Sequence, residues 1–439
     1  MAGLMMTRRL RTWSIAAVVL ALALAGCTSE DEAPSESSTP SEVSVTTSTP
    51  SSSSTFVQLD PIALPAGLDA PGSGSLLAFD DGFLLSMSLG PDGPSYWMTQ
   101  LDTTGGQARL SEDVRDFHGT YAGVPRSMDA GRLVWPMTED RTSPDAPDSA
   151  LDIYLYDWES AETRRLTQNE EADTDPAIAG NWVAWTAGSG SQDGSRVLIH
   201  DLSADTTEEL SASGLEAYGV SLHEDQAAWV QQGDEGGWEI WYRELPEGEP
   251  RRVEGDYPGT PPVQPPSVGP AGVMWVSAEE EGERAGRIWF APRSSEGLEP
   301  AGPLDLSTPV EWAALHGELI LWQGSAPEDP SQYPSLMLYD LEREQGLELG
   351  AGTMVGANLD LGSEEGLVAW AALTEAAWLV QAYDVATGEA QTLQQLPLPE
   401  VPPGAVPQPV VDGNRVAWRA PLPDEAGGAL GLWVVEREG

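Results

Sequence analysis

One pattern recurs along most of the chain: a turn, two or three apolar residues, then a tryptophan. It reads Arg132-Leu133-Val134-Trp135, Trp182-Val183-Ala184-Trp185, Gln226-Ala227-Ala228-Trp229 and Gly272-Val273-Met274-Trp275. It continues as Leu319-Ile320-Leu321-Trp322, Leu367-Val368-Ala369-Trp370 and Arg415-Val416-Ala417-Trp418. The Trp spacings are 50, 44, 46, 47, 48 and 48 residues. A degenerate copy without Trp, Asp81-Gly82-Phe83-Leu84-Leu85, lies 50 residues before the first. Behind each run trails a second strand-like run of aromatic and branched residues, often closing on Asp-Leu. Ile153-Tyr154-Leu155-Tyr156-Asp157 and Leu336-Met337-Leu338-Tyr339-Asp340-Leu341 are examples. A turn and a short polar strand such as Arg164-Arg165-Leu166-Thr167 follow, and the next unit opens on a small apolar stretch.

Four short strands in about 48 residues, with alternating side chains and Gly, Asp or Asn between them, predict antiparallel meanders. A four-stranded sheet repeated at 40–50 residues is the mark of a propeller blade, which covers its faces only by packing in a ring. The fold class expected is all-β: an eight-bladed β-propeller with four antiparallel strands per blade. Seven blades is the runner-up, because the first unit lacks its Trp. The last unit has room for three strands after Val406, and Phe56-Val57-Gln58-Leu59 would supply its fourth, closing the ring with an N-terminal strand. The structural repeat residues Trp135, Trp185, Trp229, Trp275, Trp322, Trp370 and Trp418 read as wedges between neighbouring blades. The competing reading is an aromatic ligand box.

The unit running from Asp152-Ile153-Tyr154-Leu155-Tyr156-Asp157 through Arg164-Arg165-Leu166-Thr167 to Asp175-Pro176-Ala177-Ile178-Ala179-Gly180-Asn181-Trp182-Val183-Ala184-Trp185 resembles the TolB-type, WD40-like repeat of bacterial envelope proteins. Weaker versions cover residues 56–439. The resemblance implies the fold and says little about function. TolB-type proteins can carry an α/β domain ahead of the propeller, and here a Ser/Thr-rich segment stands in that place.

The first residues read differently. Arg8, Arg9 and Arg11 precede an apolar stretch from Trp13 to Leu24, too short for a membrane span of about 20 residues. Leu24-Ala25-Gly26-Cys27 resembles the bacterial lipobox. The resemblance implies removal of residues 1–26 as a signal peptide and lipidation of Cys27, anchoring the chain by acyl chains worth about 0.8 kcal/mol per buried methylene. Thr28 is not Asp, so the resemblance implies no inner-membrane retention signal. Residues 27–55, rich in Ser, Thr and Pro, have almost nothing to bury and read as a disordered tether spanning roughly 30 Å.

Composition sharpens this picture. Of 439 residues, 40% are apolar, enough for a core, and 46 Gly and 36 Pro fit a turn-rich chain. The 21 basic residues, all Arg, face 70 acids for a net charge of −49. A surface so acidic repels phosphates and anionic headgroups, so nucleic acid and peripheral membrane binding are disfavoured. Cys27 is the sole cysteine, so the fold must hold by packing alone.

Catalytic signals are lacking. There is no Gly-x-Ser-x-Gly elbow, and Gly188-Ser189-Gly190-Ser191 is out of register in a hairpin loop. Without Lys there is no phosphate loop. His118, His200, His223 and His316 do not pair at metal-ligand spacing and read as structural. No metal site or cofactor is expected. Ca²⁺ at Asp173-Thr174-Asp175 or Asp80-Asp81-Gly82 is a weak alternative to turn and cap roles. The function expected is an exported, lipid-anchored, non-catalytic scaffold that binds an envelope protein or polysaccharide, with insertions near 138–150 and 325–334 as contact loops. The alternative is an extracytoplasmic glycan-acting hydrolase or lyase with carboxylates gathered at the ring centre.

Overall fold

In the computed structural model the chain forms eight antiparallel sheets, the blades of one ring. The structure describes residues 56–58, 62–64, 74–90, 93–101, 107–109, 127–138, 151–188, 194–278, 286–295, 297–304, 306, 310–324, 335–350, 353–359, 366–398, 406–422 and 430–437. The signal segment, Cys27, the tether, residues 139–150 and 325–334, and His118 lie outside the described residues.

Each blade is a meander, its first strand nearest the ring axis. Blade 1 comprises Gly74–Asp80, Phe83–Gly90, Gly93–Gln100 and Gln107–Arg109. Blade 2 comprises Met128–Asp129, Arg132–Thr138, Leu151–Asp157 and Glu162–Arg165. Blade 3 comprises Thr174–Ala179, Trp182–Ala187, Arg196–Asp201 and Thr206–Glu209. Blade 4 comprises Ala217–His223, Gln226–Gln232, Trp238–Glu244 and Arg251–Arg252. In blade 5, Ser267–Gly269, Gly272–Ser277 and Arg287–Ser294 are followed by Gly297–Leu298 and Gly302–Pro303, which share the outer place. Blade 6 comprises Val310–His316, Leu319–Gly324, Ser335–Asp340 and Gln345–Gly350. Blade 7 comprises Thr353–Leu359, Leu367–Leu373, Ala377–Asp384 and Glu389–Pro397. Blade 8 has three strands of its own, Val410–Asp412, Arg415–Pro421 and Leu430–Arg437.

The fourth strand of blade 8 comes from the other end of the domain. Phe56–Gln58 pairs antiparallel with the last strand, setting Phe56 against Arg437 and Gln58 against Val435. Ile62–Ala63 pairs farther along it, against Leu432 and Gly431. The ring therefore has eight blades, closed by an N-terminal strand.

The core lies in the seams between blades. In a strand successive side chains point to opposite faces. In the second strand of each blade, residues two and four pack on the preceding blade and residue three on the following one. Trp229, with Ala227, meets Trp182, Ala184, Val197 and Ile199 of blade 3, while Ala228 between them joins the blade 4–5 cluster. The same register places Trp135, Trp185, Trp275, Trp322, Trp370 and Trp418 in the seams 1/2, 2/3, 4/5, 5/6, 6/7 and 7/8. All seven are at most 3% exposed. Burying one indole removes about 150–250 Å² from water, a gross gain of roughly 4–6 kcal/mol.

One hydrogen bond repeats in all eight blades and ties the two turns at one rim together. Within one residue of the end of the third strand, a backbone N–H donates to the carbonyl of the residue preceding the second strand. The pairs are Leu101 to Gly82, Trp158 to Gly131, Leu202 to Asn181, Leu245 to Asp225, Arg293 to Ala271, Leu341 to Glu318, Val385 to Gly366 and Arg437 to Asn414. Gly131 shows why one of these turns needs glycine. Its φ is +78°, and a Cβ there would come within 2.9 Å of the Phe83 ring of blade 1. Among the described residues no helix is long and apolar enough to cross a membrane.

Candidate functional site

In a meander the first-to-second and third-to-fourth turns leave at one rim of the ring. The second-to-third turns and the crossings to the next blade leave at the other. The two rims carry different chemistry.

At the first rim, the last residue of the innermost strand is an acid in three consecutive blades: Asp412, Asp80 and Asp129. Each reaches forward to the hairpin of the next blade. The backbone N–H groups of Asp81 and Gly82 donate to Asp412 at 3.1 and 2.6 Å. Ala130 N–H donates to Asp80 at 2.7 Å, and Gly180 N–H to Asp129 at 3.1 Å. Arg415 lies 3.2 Å from Asp412, and Arg132 pairs with Asp129. The middle carboxyl, Asp80, is pushed up to about 7, first by burial and then by the charges of Asp129, Asp412 and Asp81, against the Ala130 hydrogen bond. In other blades the same position holds Ala179, His223, Gly269 and His316. Burial lowers the His223 imidazole, and the nearby His316 adds to this while Glu224 opposes it.

The carboxylates at this rim thus hold turns and blades together. Retaining glycoside hydrolysis needs two carboxyl groups about 5–5.5 Å apart and free to meet substrate. All three accept backbone N–H bonds, Asp412 and Asp129 also face their own arginines, and of the three Asp80 is the carboxyl pushed up to about 7.

The opposite rim is built on a buried polar cluster in blade 2 that sequence reasoning missed. Asp152, 2% exposed, follows the connection from Thr138 and pairs with Arg165. The Thr167 hydroxyl donates to Asp152 at 3.2 Å and accepts from Ile153 N–H at 2.9 Å. Asn169 Nδ2 donates to Asp173 at 2.9 Å, and Asp173 N–H donates to Leu151 O at 2.9 Å. Asp173 is fully buried. Burial pushes its carboxyl up and the Asp152 charge adds to this, while bonds from Thr167 and Asn169 pull it down. Arg196 of blade 3 reaches back to Glu171 at 2.6 Å. Through Asp173 the cluster is tied to Leu151, the first residue of the third strand.

A third feature lies on the outer edge between blades 3 and 4: an open cleft of about 520 Å³ lined by Glu208, Glu209, Trp241, Arg243, Glu247 and Glu249, among others. Arg243 crosses the seam to Glu208 at 2.8 Å.

Other sequence candidates fall in structural places. His200 is 5% exposed and contacts Thr207 Oγ1 at 3.0 Å through Nδ1. Of the acids weighed as Ca²⁺ ligands, Asp80 accepts from the turn of the next blade, Asp173 belongs to the polar cluster, and Asp175 is exposed in a bulge with φ +51°. Among the described residues no group of three or more His, Cys, Asp or Glu is placed to hold a metal.

No family model matches the chain, and no curated protein matches it in sequence. Solved structures do resemble it. A puromycin hydrolase is 16% identical, with 84% of this chain and 61% of that one covered and a TM-score of 0.50. TolB from Acinetobacter baumannii is 14% identical, with 71% and 78% covered and a TM-score of 0.38. An oligogalacturonate lyase in complex with manganese is 12% identical, with 87% and 96% covered and a TM-score of 0.45. The chain thus spans 61% of the puromycin hydrolase's length. At these identities the likeness is one of fold, and function must be argued from the site. The eight antiparallel sheets are consistent with the propeller repeat read from the sequence.

Proposed function

We propose that this protein is an extracytoplasmic, lipid-anchored scaffold whose propeller binds an envelope protein or polysaccharide without catalysing a reaction on it. The observation that carries this reading is the contrast between the rims. At one rim, Asp412, Asp80 and Asp129 are engaged in bonds between blades. The other collects the second-to-third turns and, in blade 2, carries the buried, hydrogen-bonded Asp152–Asp173 cluster. A rigid scaffold presenting connections on one face is the usual arrangement for a binding surface. Anchoring rests on the lipobox-like run ending at Cys27. Two acyl chains suffice for stable attachment.

The test has two arms. The full chain, and a variant with residues 139–149 replaced by Gly and Ser, are immobilised and offered purified envelope proteins and polysaccharides. Binding that the replacement abolishes supports the reading. Equal binding by both forms, or turnover of any polysaccharide, rejects it. Separately, Cys27→Ala is expected to abolish incorporation of labelled fatty acid and release the chain from the membrane fraction. Unchanged labelling would reject the anchor.

The Asp80 carboxyl, protonated up to about 7, is the one feature that favours a glycan-acting enzyme instead. That reading requires glycan cleavage by the native chain and its loss in Asp80→Asn.

A further inference from the structure

In seven seams the fourth residue of the second strand is a tryptophan, and in the eighth it is not; there Trp97 of the third strand stands beside it as its register partner, half-buried. Between blades 8 and 1 the fourth residue of the second strand is Ser86, 1% exposed. The cluster there comprises Leu76, Phe79, Leu84 and Leu101 of blade 1 with Val410, Ala417, Leu432 and Val434 of blade 8, and contains no aromatic ring larger than Phe79.

Polar contacts cross this seam where the second-strand indole is missing. Asp412 accepts two backbone N–H bonds from the blade 1 hairpin, at 3.1 and 2.6 Å. Arg415 lies 3.2 Å from Asp412 and donates to Leu101 O at 3.3 Å. Its guanidinium carbon stands 5.4 Å from the Phe79 ring centroid. Asp80 then carries the row on to Ala130 of blade 2. The charges facing Asp80 are Asp412 from blade 8, Asp81 from its own turn and Asp129 from blade 2. The flanking acids have cations of their own, Arg415 and Arg132.

We propose that the seam between blades 8 and 1 is where the ring opens, and that a proton held within the Asp412–Asp80–Asp129 row sets how often it does. With Asp80 neutral, two carboxylates face two guanidiniums. With Asp80 ionised, a third negative charge sits half-buried between like charges. Opening exposes Asp80 to water, where a carboxyl loses its proton near 3.9. In the closed ring the carboxyl holds its proton up to about 7. Closing therefore takes up a proton between those values, so acid favours the closed ring and alkali the open one. From these two values, opening rises at most about tenfold between pH 6 and 8.5.

Native-state hydrogen exchange on the full chain tests this, with rates corrected for intrinsic exchange. Gly74–Asp80, Phe83–Gly90, Val410–Asp412 and Arg415–Pro421 are compared with Trp182–Ala187 and Gln226–Gln232 of the 3/4 seam. The first group is expected to be less protected and to lose up to about tenfold in protection over that pH range. Asp80→Asn keeps an acceptor for Ala130 N–H but carries no charge, so its protection should not change with pH. Equal protection at both seams, or a pH dependence that Asp80→Asn retains, overturns the proposal. Should that variant not fold, Asp129→Asn removes a flanking charge and should move the midpoint of the loss to lower pH. An unmoved midpoint is equally fatal.

Discussion

The fourth residue of each second strand faces the preceding blade, and seven of eight blades place tryptophan there. What differs is the fate of the indole N–H. Trp418 Nε1 donates to Gln394 Oε1 at 2.5 Å, whereas Trp370 Nε1 is buried without an acceptor among the described residues. A buried donor left unpaired costs about 1–3 kcal/mol, and a hydrogen bond contributes about 1 kcal/mol. Trp370→Phe removes an unpaired group, so its packing loss is partly offset. Trp418→Phe also strands the Gln394 acceptor. In urea unfolding, Trp418→Phe should cost at least about 1 kcal/mol more than Trp370→Phe, and equal costs would refute this account of the indoles. The seven positions were legible in the sequence because a large ring at a fixed spacing is a strong signal. The eighth was not. The degenerate copy seemed to end on Leu85, but Leu85 faces blade 2, and it is Ser86 that stands in the indole's place. A small residue in a seam leaves no periodic mark.

At the scale of strands, the Asp that often closes the third strand has a local cause. Its carboxylate caps the turn to the outer strand. Asp157 accepts from Ser160 N–H at 2.9 Å, Asp201 from Ser203 N–H at 2.8 Å, Asp340 from Arg343 N–H at 2.9 Å and Asp384 from Ala386 N–H at 2.9 Å. Such Asx turns depend on nearby residues and can be read from sequence. The innermost strands could not be read so well. Five carry register shifts against their neighbours, between Leu76/Ala78, Thr174/Ala177, Tyr218/Ser221, Val310/Trp312 and Met354/Asn358. Bulges answer to the crowding of strands near the axis, which is a tertiary effect. The polar cluster around Asp152 was equally hidden, because its members, spread from Asp152 to Asp173, meet only once the blade 2 meander has folded. The closing strand was legible from the missing fourth strand of the last unit. Phe56, 8% exposed, packs with Trp418, Trp433 and Val435 in the 7/8 cluster. Phe56→Asp would bury an unpaired carboxylate there and should lower stability by about 3 kcal/mol or more, seen as a lower urea midpoint. An unchanged midpoint would mean that the strand does not close the ring.

For the whole molecule, the imbalance of charge is resolved by placement rather than by number. Many of the scarce arginines sit at seams and reach across them. Arg196 meets Glu171, Arg243 meets Glu208, Arg293 meets Glu244, and Arg437 meets Asp384 in a buried pair at 3.0 Å. The outer strand of blade 3, Thr206–Glu209, is acidic and exposed along its length. Exposed charges on an edge strand discourage pairing with other chains. Net self-repulsion at −49 is long-ranged and screened at about 8–10 Å in 0.1–0.15 M salt, while the seam pairs are close and partly buried. Raising NaCl from 0.02 to about 0.5 M should therefore raise the thermal midpoint. A fall would show that surface ion pairs outweigh repulsion.

The ring's closure by its N-terminal strand is tested most directly by a cross-link. Val57 and Glu436 are register partners, both exposed. Directly opposed antiparallel residues stand about 4.5–5.5 Å apart at Cα, within reach of a disulfide. In a Cys27→Ala background, Val57→Cys with Glu436→Cys should form an intramolecular disulfide under mild oxidation and raise the unfolding midpoint. Free thiols, or cross-links only between molecules, would contradict the closed eight-bladed ring.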